Sequence, residues 1–254
     1  MALVSIITIV RDHASGLRKT FSSLTGQKHN DWEMLIVVGA SKDSTLQTAR
    51  EIASKDSRIK VIEQSGLGIY NAMNEGIQNA SGEFSWFMNA GDKFTDARVL
   101  SGALDEIIRA KVGLVIGGYR IDVGNERQVY SYPRKEITEF DFAFNRRGGC
   151  HQAMIFRTEL LKKAGGFNSN YTLASDFDLV LKIIKLAGAM RVPGIYASIE
   201  PGGAADQGIF SVHRQKHQIR KDFFGSAVIN FASLAWTVAA RMKIIVRRLL
   251  RPTR

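Results

Sequence analysis

Two acidic clusters in this chain are spaced as reactive groups would be. Asp92 closes the turn Asn89-Ala90-Gly91-Asp92, directly after the apolar run Phe84 to Met88. A carboxylate and a carboxamide displayed off the end of a buried strand sit where open α/β sheets bind ligands. Asp92 there could ligate a divalent cation that neutralises a nucleoside diphosphate, or could simply cap the next turn. Asp176 and Asp178, in Ala174-Ser175-Asp176-Phe177-Asp178-Leu179, open a helical pattern. Either could be a helix cap, and Asp176 could equally be a general base taking a proton from an acceptor hydroxyl. His151 and Gln152 form a third polar point. His151 reads as a metal or phosphate contact, or as a partly buried structural histidine.

The elements that must position these groups are legible from periodicity. Val4 to Val10 is β-branched and apolar, a strand; residues 14–25 carry Leu17, Phe21 and Leu24 at helical spacing. Glu33 to Val38 gives a second strand, and Asp43 or Ser44 can cap a helix reaching about residue 54. Ile59 to Ile62 is a short third strand, and Gly66-Leu67-Gly68 leads into a helix holding Ile69, Ala72, Met73 and Ile77. The strand at 84–88 follows. Strands alternating with helices imply an α/β fold with a mostly parallel central sheet.

Later segments predict a helix over 95–110, a strand from Val112, and a hairpin around Gly124-Asn125. Residues 136–150 show no period and read as a mobile loop. His151 to Arg157 is a short apolar run, Gly165-Gly166 ends a helix, Asp176 to Leu186 is strongly helical, and Gln207 to Phe224 is a polar helix.

Composition narrows the class further. With 45% hydrophobic and 23% charged residues the chain is globular rather than disordered. The single Cys150 allows no internal disulfide, which suits a reducing compartment. Gly66-x-Gly68 is an incomplete dinucleotide fingerprint, because Asn71 stands where the third glycine belongs; no GxxxxGK[ST] occurs. The net charge of +11 is uneven: residues from Arg214 onward carry +9 of it. The segment 226–251 sets an apolar face (Phe231, Leu234, Val238, Met242, Ile245, Leu249) against a basic one (Arg241, Lys243, Arg247, Arg248, Arg251). That pattern predicts contact with an anionic membrane surface, the alternative being a helix packed on the domain with its charge solvated. The basic cluster has no interleaved aromatics, so nucleic acid is not an expected partner.

In order, Ser5 to Thr8, Ile36 to Thr45, Gly68 to Gly76, Gly82 to Asp92, and Gly165-Gly166-Phe167 with Asp176 to Leu179 resemble successive blocks of family 2 glycosyltransferases with a GT-A fold. The likeness spans about residues 3–205 and is greatest to bacterial exopolysaccharide and colanic-acid-type enzymes. It implies a Rossmann-like nucleotide-sugar half over 1–92, an acceptor half over 93–205 and a helical extension over 206–254. It further implies a nucleotide-sugar donor, Mn²⁺ or Mg²⁺, inversion at the anomeric carbon, and a saccharide or lipid-linked acceptor. The expected setting is cytoplasmic, at the inner face of the cytoplasmic membrane. Carried over, Val10, Arg11, Asp12, Asp43, Asn71, Asn74 and Asn89 would contact the donor. Asp92 would ligate the metal, with His151 a further candidate; Asp176 would be the base; and His151, Gln152 and Asp178 would lie on the acceptor side. The family usually has acids where this chain has Gly39, Gly66, Asn71 and Asn89, which leaves a non-catalytic nucleotide- or saccharide-binding relative as the alternative.

Overall fold

The computed structural model describes residues 3–123, 126–144, 149–202 and 209–227. They fall into two units, Met1–Gly208 and Ile209–Arg254.

The first unit opens with the expected alternation: β1 (Val4–Val10), α1 (Ala14–Thr25), β2 (Trp32–Val38), α2 (Thr45–Ala53), β3 (Ile59–Glu63), α3 (Ile69–Asn79) and β4 (Phe84–Phe87). It continues with β5 (Lys93–Phe94), α4 (Val99–Ala110), β6 (Leu114–Val123), β7 (Glu126–Tyr130), β8 (Lys135–Ile137) and α5 (Glu139–Phe144). A 3-10 turn (His151–Ala153), β9 (Met154–Arg157), α6 (Thr158–Lys163), α7 (Ser175–Ala187) and β10 (Ala189–Ile199) complete it. The described part of the second unit holds α8 (Ile209–Phe224).

Ten strands form one sheet in the order β3-β2-β1-β4-β9-β6-β10-β5, with β7 on β6 and β8 on β10. From β3 to β4 every pairing is parallel; β9 then runs antiparallel between β4 and β6, so the second half of the sheet is mixed. The inner strands β2 and β4 are buried on both faces, and this explains their apolar runs: all seven residues of β2 and all four of β4 are buried. Each large side chain there contributes about 1.5–3 kcal/mol by leaving water. One residue of β2 is an acid. Glu33 accepts hydrogen bonds from Ser5 Oγ (2.6 Å) and from the Ser81 amide and hydroxyl (2.7 Å each), and pairs with Lys60 Nζ (3.2 Å). It therefore ties β1, β2 and the start of the β4 segment together.

Helix α3 lies close on β1 because Gly76 meets Ile7 there; any Cβ at 76 would collide with the isoleucine side chain. The stretch expected to be a mobile loop contains β8 and α5. A three-residue strand and a six-residue helix are too short to show a period. Tertiary contacts specify them: β8 pairs with β10, and Phe142 of α5 stacks on Phe177 of α7 at 5.4 Å. Gly124-Asn125 and the amphipathic tail beyond residue 227 lie outside the described residues. Among the described residues no helix is long and apolar enough to cross a membrane.

Candidate active site

The carboxyl ends of β1 and β2 and the amino end of α3 enclose a cleft of about 310 Å³, lined by Val10, Arg11, Val37, Gln64, Gly68 and Ile69 among others. A helix amino terminus beside parallel strand ends is a site for an anionic ligand. Gly39 lies at its edge without an acid: a Cβ there would stand 3.1 Å from Gln64 Oε1 and 3.4 Å from Arg11. A neutral carboxamide and the aliphatic stem of Arg11 therefore border position 39.

Next along the sheet, β4 delivers the turn 88–92. Asp92 N–H donates to Asn89 C=O (3.0 Å), and Gly91 adopts φ +101°, which favours glycine. Thr20, buried on α1, knots this turn by accepting from Gly91 N–H (3.0 Å) and donating to Asp92 C=O (2.7 Å). The Asp92 carboxylate is only 4% exposed and accepts from Gln152 Nε2 (2.9 Å) and the Glu200 amide (2.9 Å). Burial, opposed by those hydrogen bonds and by His151, pushes its pKa up to about 6.

The facing wall is the 3-10 turn. Trp86 Nε1 of β4 donates to Gln152 C=O (2.8 Å), which fixes the turn against the strand. His151 consequently lies between the two acidic regions: Nδ1 is 3.4 Å from Asp176 Oδ2 and Nε2 is 3.4 Å from Asn89 Nδ2. One neutral tautomer, protonated at Nδ1, satisfies both contacts. Asp176, in the first turn of α7, keeps about a third of its side chain exposed and accepts from the Phe177 amide (2.8 Å) at Oδ1. Asn89, Asp92, His151, Gln152 and Asp176 are thus joined in one hydrogen-bonded group, although they come from three separate segments.

The remaining candidates are placed differently. Val10 and Arg11 line the cleft. Asp12 (φ +50°) accepts from the Lys42 amide (2.6 Å), and Asp43 accepts from the amides of Ala14 (3.4 Å) and Thr45 (2.9 Å), so both brace the loops after β1 and β2. Asn71 donates to Leu67 C=O (2.6 Å), shaping the loop before α3. Asn74 holds the Phe167 backbone through both amide atoms, each at 2.8 Å. Asp178 is buried against Lys182 one turn on (2.7 Å) and is not part of the joined group.

Two neighbours of the site had no signal in the sequence: Gln64 and Glu200. Glu200 follows β10, pairs with His13 Nε2 (2.9 Å) and Lys19 Nζ (3.1 Å), and fills the space any side chain at 91 would need. Only the sheet order brings it there. Burial works against its ionisation, but Lys19 and His13 outweigh that and hold its pKa below the ordinary glutamate value.

A divalent cation is the cofactor such acids would serve. Among the described residues no three His, Cys, Asp or Glu side chains gather closely enough to cage one. The donors present suit a cation shared with phosphate oxygens. Asp92 offers a carboxylate, and Asn89 Oδ1 is buried with no hydrogen-bond partner. Nucleotide-associated Mg²⁺ is commonly held by one or two carboxylates plus the substrate's phosphates.

A parallel nucleotide-type half, a mixed second half and a crevice across their strand ends define a GT-A glycosyltransferase architecture. The model of glycosyl transferase family 2 matches residues 5–165, and the chain belongs to that family. It is therefore a glycosyltransferase. An uncharacterized glycosyltransferase of Mycobacterium tuberculosis is 24% identical over 239 residues, covering 91% of this chain and 89% of its own. A PGL/p-HBAD biosynthesis glycosyltransferase of Mycobacterium bovis is 28% identical over 189 residues, covering 71% and 69%. Among solved structures, residues 1–349 of S. aureus TarS in complex with UDP superpose with a TM-score of 0.68 at 19% identity, covering 88% of this chain and 71% of that one. The mannosyltransferase PcManGT from Pyrobaculum calidifontis, in complex with GDP-Man and Mn²⁺, gives 0.62 at 16% identity, covering 98% and 80%.

Proposed function

We propose that the chain is an inverting glycosyltransferase that transfers a sugar from a nucleoside-diphosphate sugar to a saccharide or lipid-linked saccharide in surface or exopolysaccharide assembly. The observation that carries this reading is the hydrogen-bonded group linking Asn89 and Asp92 to Asp176 through His151 and Gln152. It sits beside the cleft at the head of α3.

In this reading the nucleoside occupies the cleft between Arg11, Gln64 and Gly68, and its diphosphate lies toward the 89–92 turn. Asp92 and Asn89 would hold a divalent cation, which supplies charge neutralisation for the departing diphosphate when bound. Asp176, partly exposed and hydrogen-bonded at Oδ1, takes the proton of the acceptor hydroxyl. The acceptor oxygen forms its bond to the anomeric carbon as the bond to the diphosphate oxygen breaks, that electron pair leaving on the diphosphate. Displacement from the opposite face inverts the anomeric configuration. The solved neighbours support a nucleotide-sugar donor, being complexes with UDP and with GDP-Man. The amphipathic segment 226–251 supports attachment at the inner face of the cytoplasmic membrane.

A panel of nucleotide sugars with Mn²⁺, read by thermal shift and by release of nucleoside diphosphate, tests the donor. At least one donor is expected to raise the melting temperature and to be turned over slowly by water. Binding without turnover of any donor, with or without acceptor glycans, would instead favour a non-catalytic binding or scaffold protein.

A further inference from the structure

Asp92 is held from two sides. Gln152 Nε2 donates to Oδ2 and the Glu200 N–H donates to Oδ1, each at 2.9 Å. The first donor is fixed by Trp86, whose indole N–H holds the Gln152 C=O (2.8 Å). The second belongs to the segment that leaves β10. There β10 pairs antiparallel with β5, Ala197 opposite Phe94 and Ser198 opposite Lys93. Continued past Ser198, that register sets Glu200 across from Gly91, and the missing side chain at 91 leaves room for the Glu200 carboxylate.

That carboxylate is in turn anchored to α1. Oε2 pairs with Nε2 of His13, the residue before the helix (2.9 Å), and Oε1 accepts from Lys19 Nζ (3.1 Å). The same helix carries Thr20, which knots the 89–92 turn directly. We infer that Glu200 is a positioning residue for the cation-binding carboxylate. Its side chain, clamped by His13 and Lys19, holds the residue-200 amide on Asp92 Oδ1 and so fixes the direction in which Asp92 faces its cation. This rests on the reading of Asp92 as a cation ligand.

A carboxylate offers about four acceptor positions, so one donor on each oxygen of Asp92 leaves others for a cation. Groups that hydrogen-bond a ligating carboxylate set its orientation, and losing one typically weakens metal binding by about 10- to 100-fold. Two substitutions separate this positioning from plain charge. A glutamine at 200 lacks the negative charge but keeps the clamp: its carbonyl oxygen accepts from Lys19 and its amide nitrogen donates to His13. Lys19 is half exposed, and among the described residues Nζ bonds to no acceptor but Glu200. Its charge by itself repels a cation, so losing that charge would tighten cation binding, whereas loosening Glu200 weakens it.

The test is titration of the full chain with Mn²⁺ alone, free ion being read by its electron paramagnetic resonance signal well below the melting temperature. Glu200→Ala should raise the Mn²⁺ Kd about 10- to 100-fold over the parent. Glu200→Gln should stay within about threefold, neutral hydrogen bonds being weaker than charged ones. Lys19→Met, an exposed change that keeps the helix even if the alanine variant folds poorly, should weaken binding about two- to fivefold. In the Glu200→Ala background it should add no weakening, because both act through one clamp. A packing role alone would lower the melting temperature and leave the Kd of the folded protein in place. If Asp92→Asn loses Mn²⁺ while Glu200→Ala and Lys19→Met bind it as the parent does, the positioning role is overturned and the cation reading stands. Equal weakening by Glu200→Gln and Glu200→Ala would also overturn it, in favour of charge. If the parent binds no Mn²⁺, or Asp92→Asn binds it as tightly as the parent, the cation reading fails first and this proposal with it.

Discussion

Asp92 shows what a reactive carboxylate costs when it is placed under a sheet's edge. Its folded pKa of about 6, against 3.8 unexposed to the fold, means that the folded state binds this proton more tightly. Stability from this group is therefore greatest below the unfolded value and declines as the pH rises toward and through 6. The difference is worth about 3 kcal/mol between acid and neutral conditions. A cation bound at the carboxylate would favour its ionised form and recover part of that loss. Millimolar Mn²⁺ should accordingly raise the melting temperature by several degrees near pH 7.5 and hardly at all near pH 4.5. The Asp92→Asn variant should lose that response. Equal shifts at both pH values, or an undiminished response in the variant, would place the cation elsewhere.

At the scale of elements, two braces decide whether the strand ends meet correctly. Asn74 holds α3 to the segment before α7, and Asn74→Ala leaves the Phe167 N–H and C=O without that partner. The expected loss is about 1–3 kcal/mol of stability, read by urea denaturation, with a fall in kcat larger than any change in donor KM. Glu33 is the second brace. Burial opposes its ionisation, but hydrogen bonds from Ser5, Ser81 and Lys60 prevail and keep its pKa below the ordinary glutamate value. Its contribution is therefore complete above the unfolded pKa and is lost as pH falls through the folded one. Glu33→Gln should cost about 1–3 kcal/mol at neutral pH, and the gap should close on acidification. Neither brace could be read in advance. Glu33 sits in an apolar strand that predicts only burial, and Asn74 sits in a donor-side motif that suggested ligand contact. The strands and helices up to Asp92 were legible because their periods are long and regular. The short β8 and α5 were not, since packing rather than pattern specifies them.

At the scale of the molecule, the sheet order β1-β4-β9 brings the ends of distant segments together, and this is why acids more than eighty positions apart belong to one hydrogen-bonded group. Asp92, His151, Gln152 and Asp176 were visible as chemistry-bearing residues at strand and helix ends. Glu200 was not, because it arrives from beyond β10, and only the fold shows what it touches. The concentrated charge of the C-terminal segment makes a separate prediction. Removing residues 228–254 should lower partitioning onto vesicles containing anionic lipid by more than about tenfold at moderate salt and leave neutral vesicles unaffected. Unchanged partitioning would count against membrane attachment. The central claim is that Asp176 removes the acceptor's proton. Its most direct test is steady-state transfer by Asp176→Asn against the parent enzyme, using a donor that both bind equally in a thermal-shift titration. The expected result is a kcat reduced by about 10²–10⁴-fold with donor affinity retained; a kcat within a few-fold of the parent would contradict it.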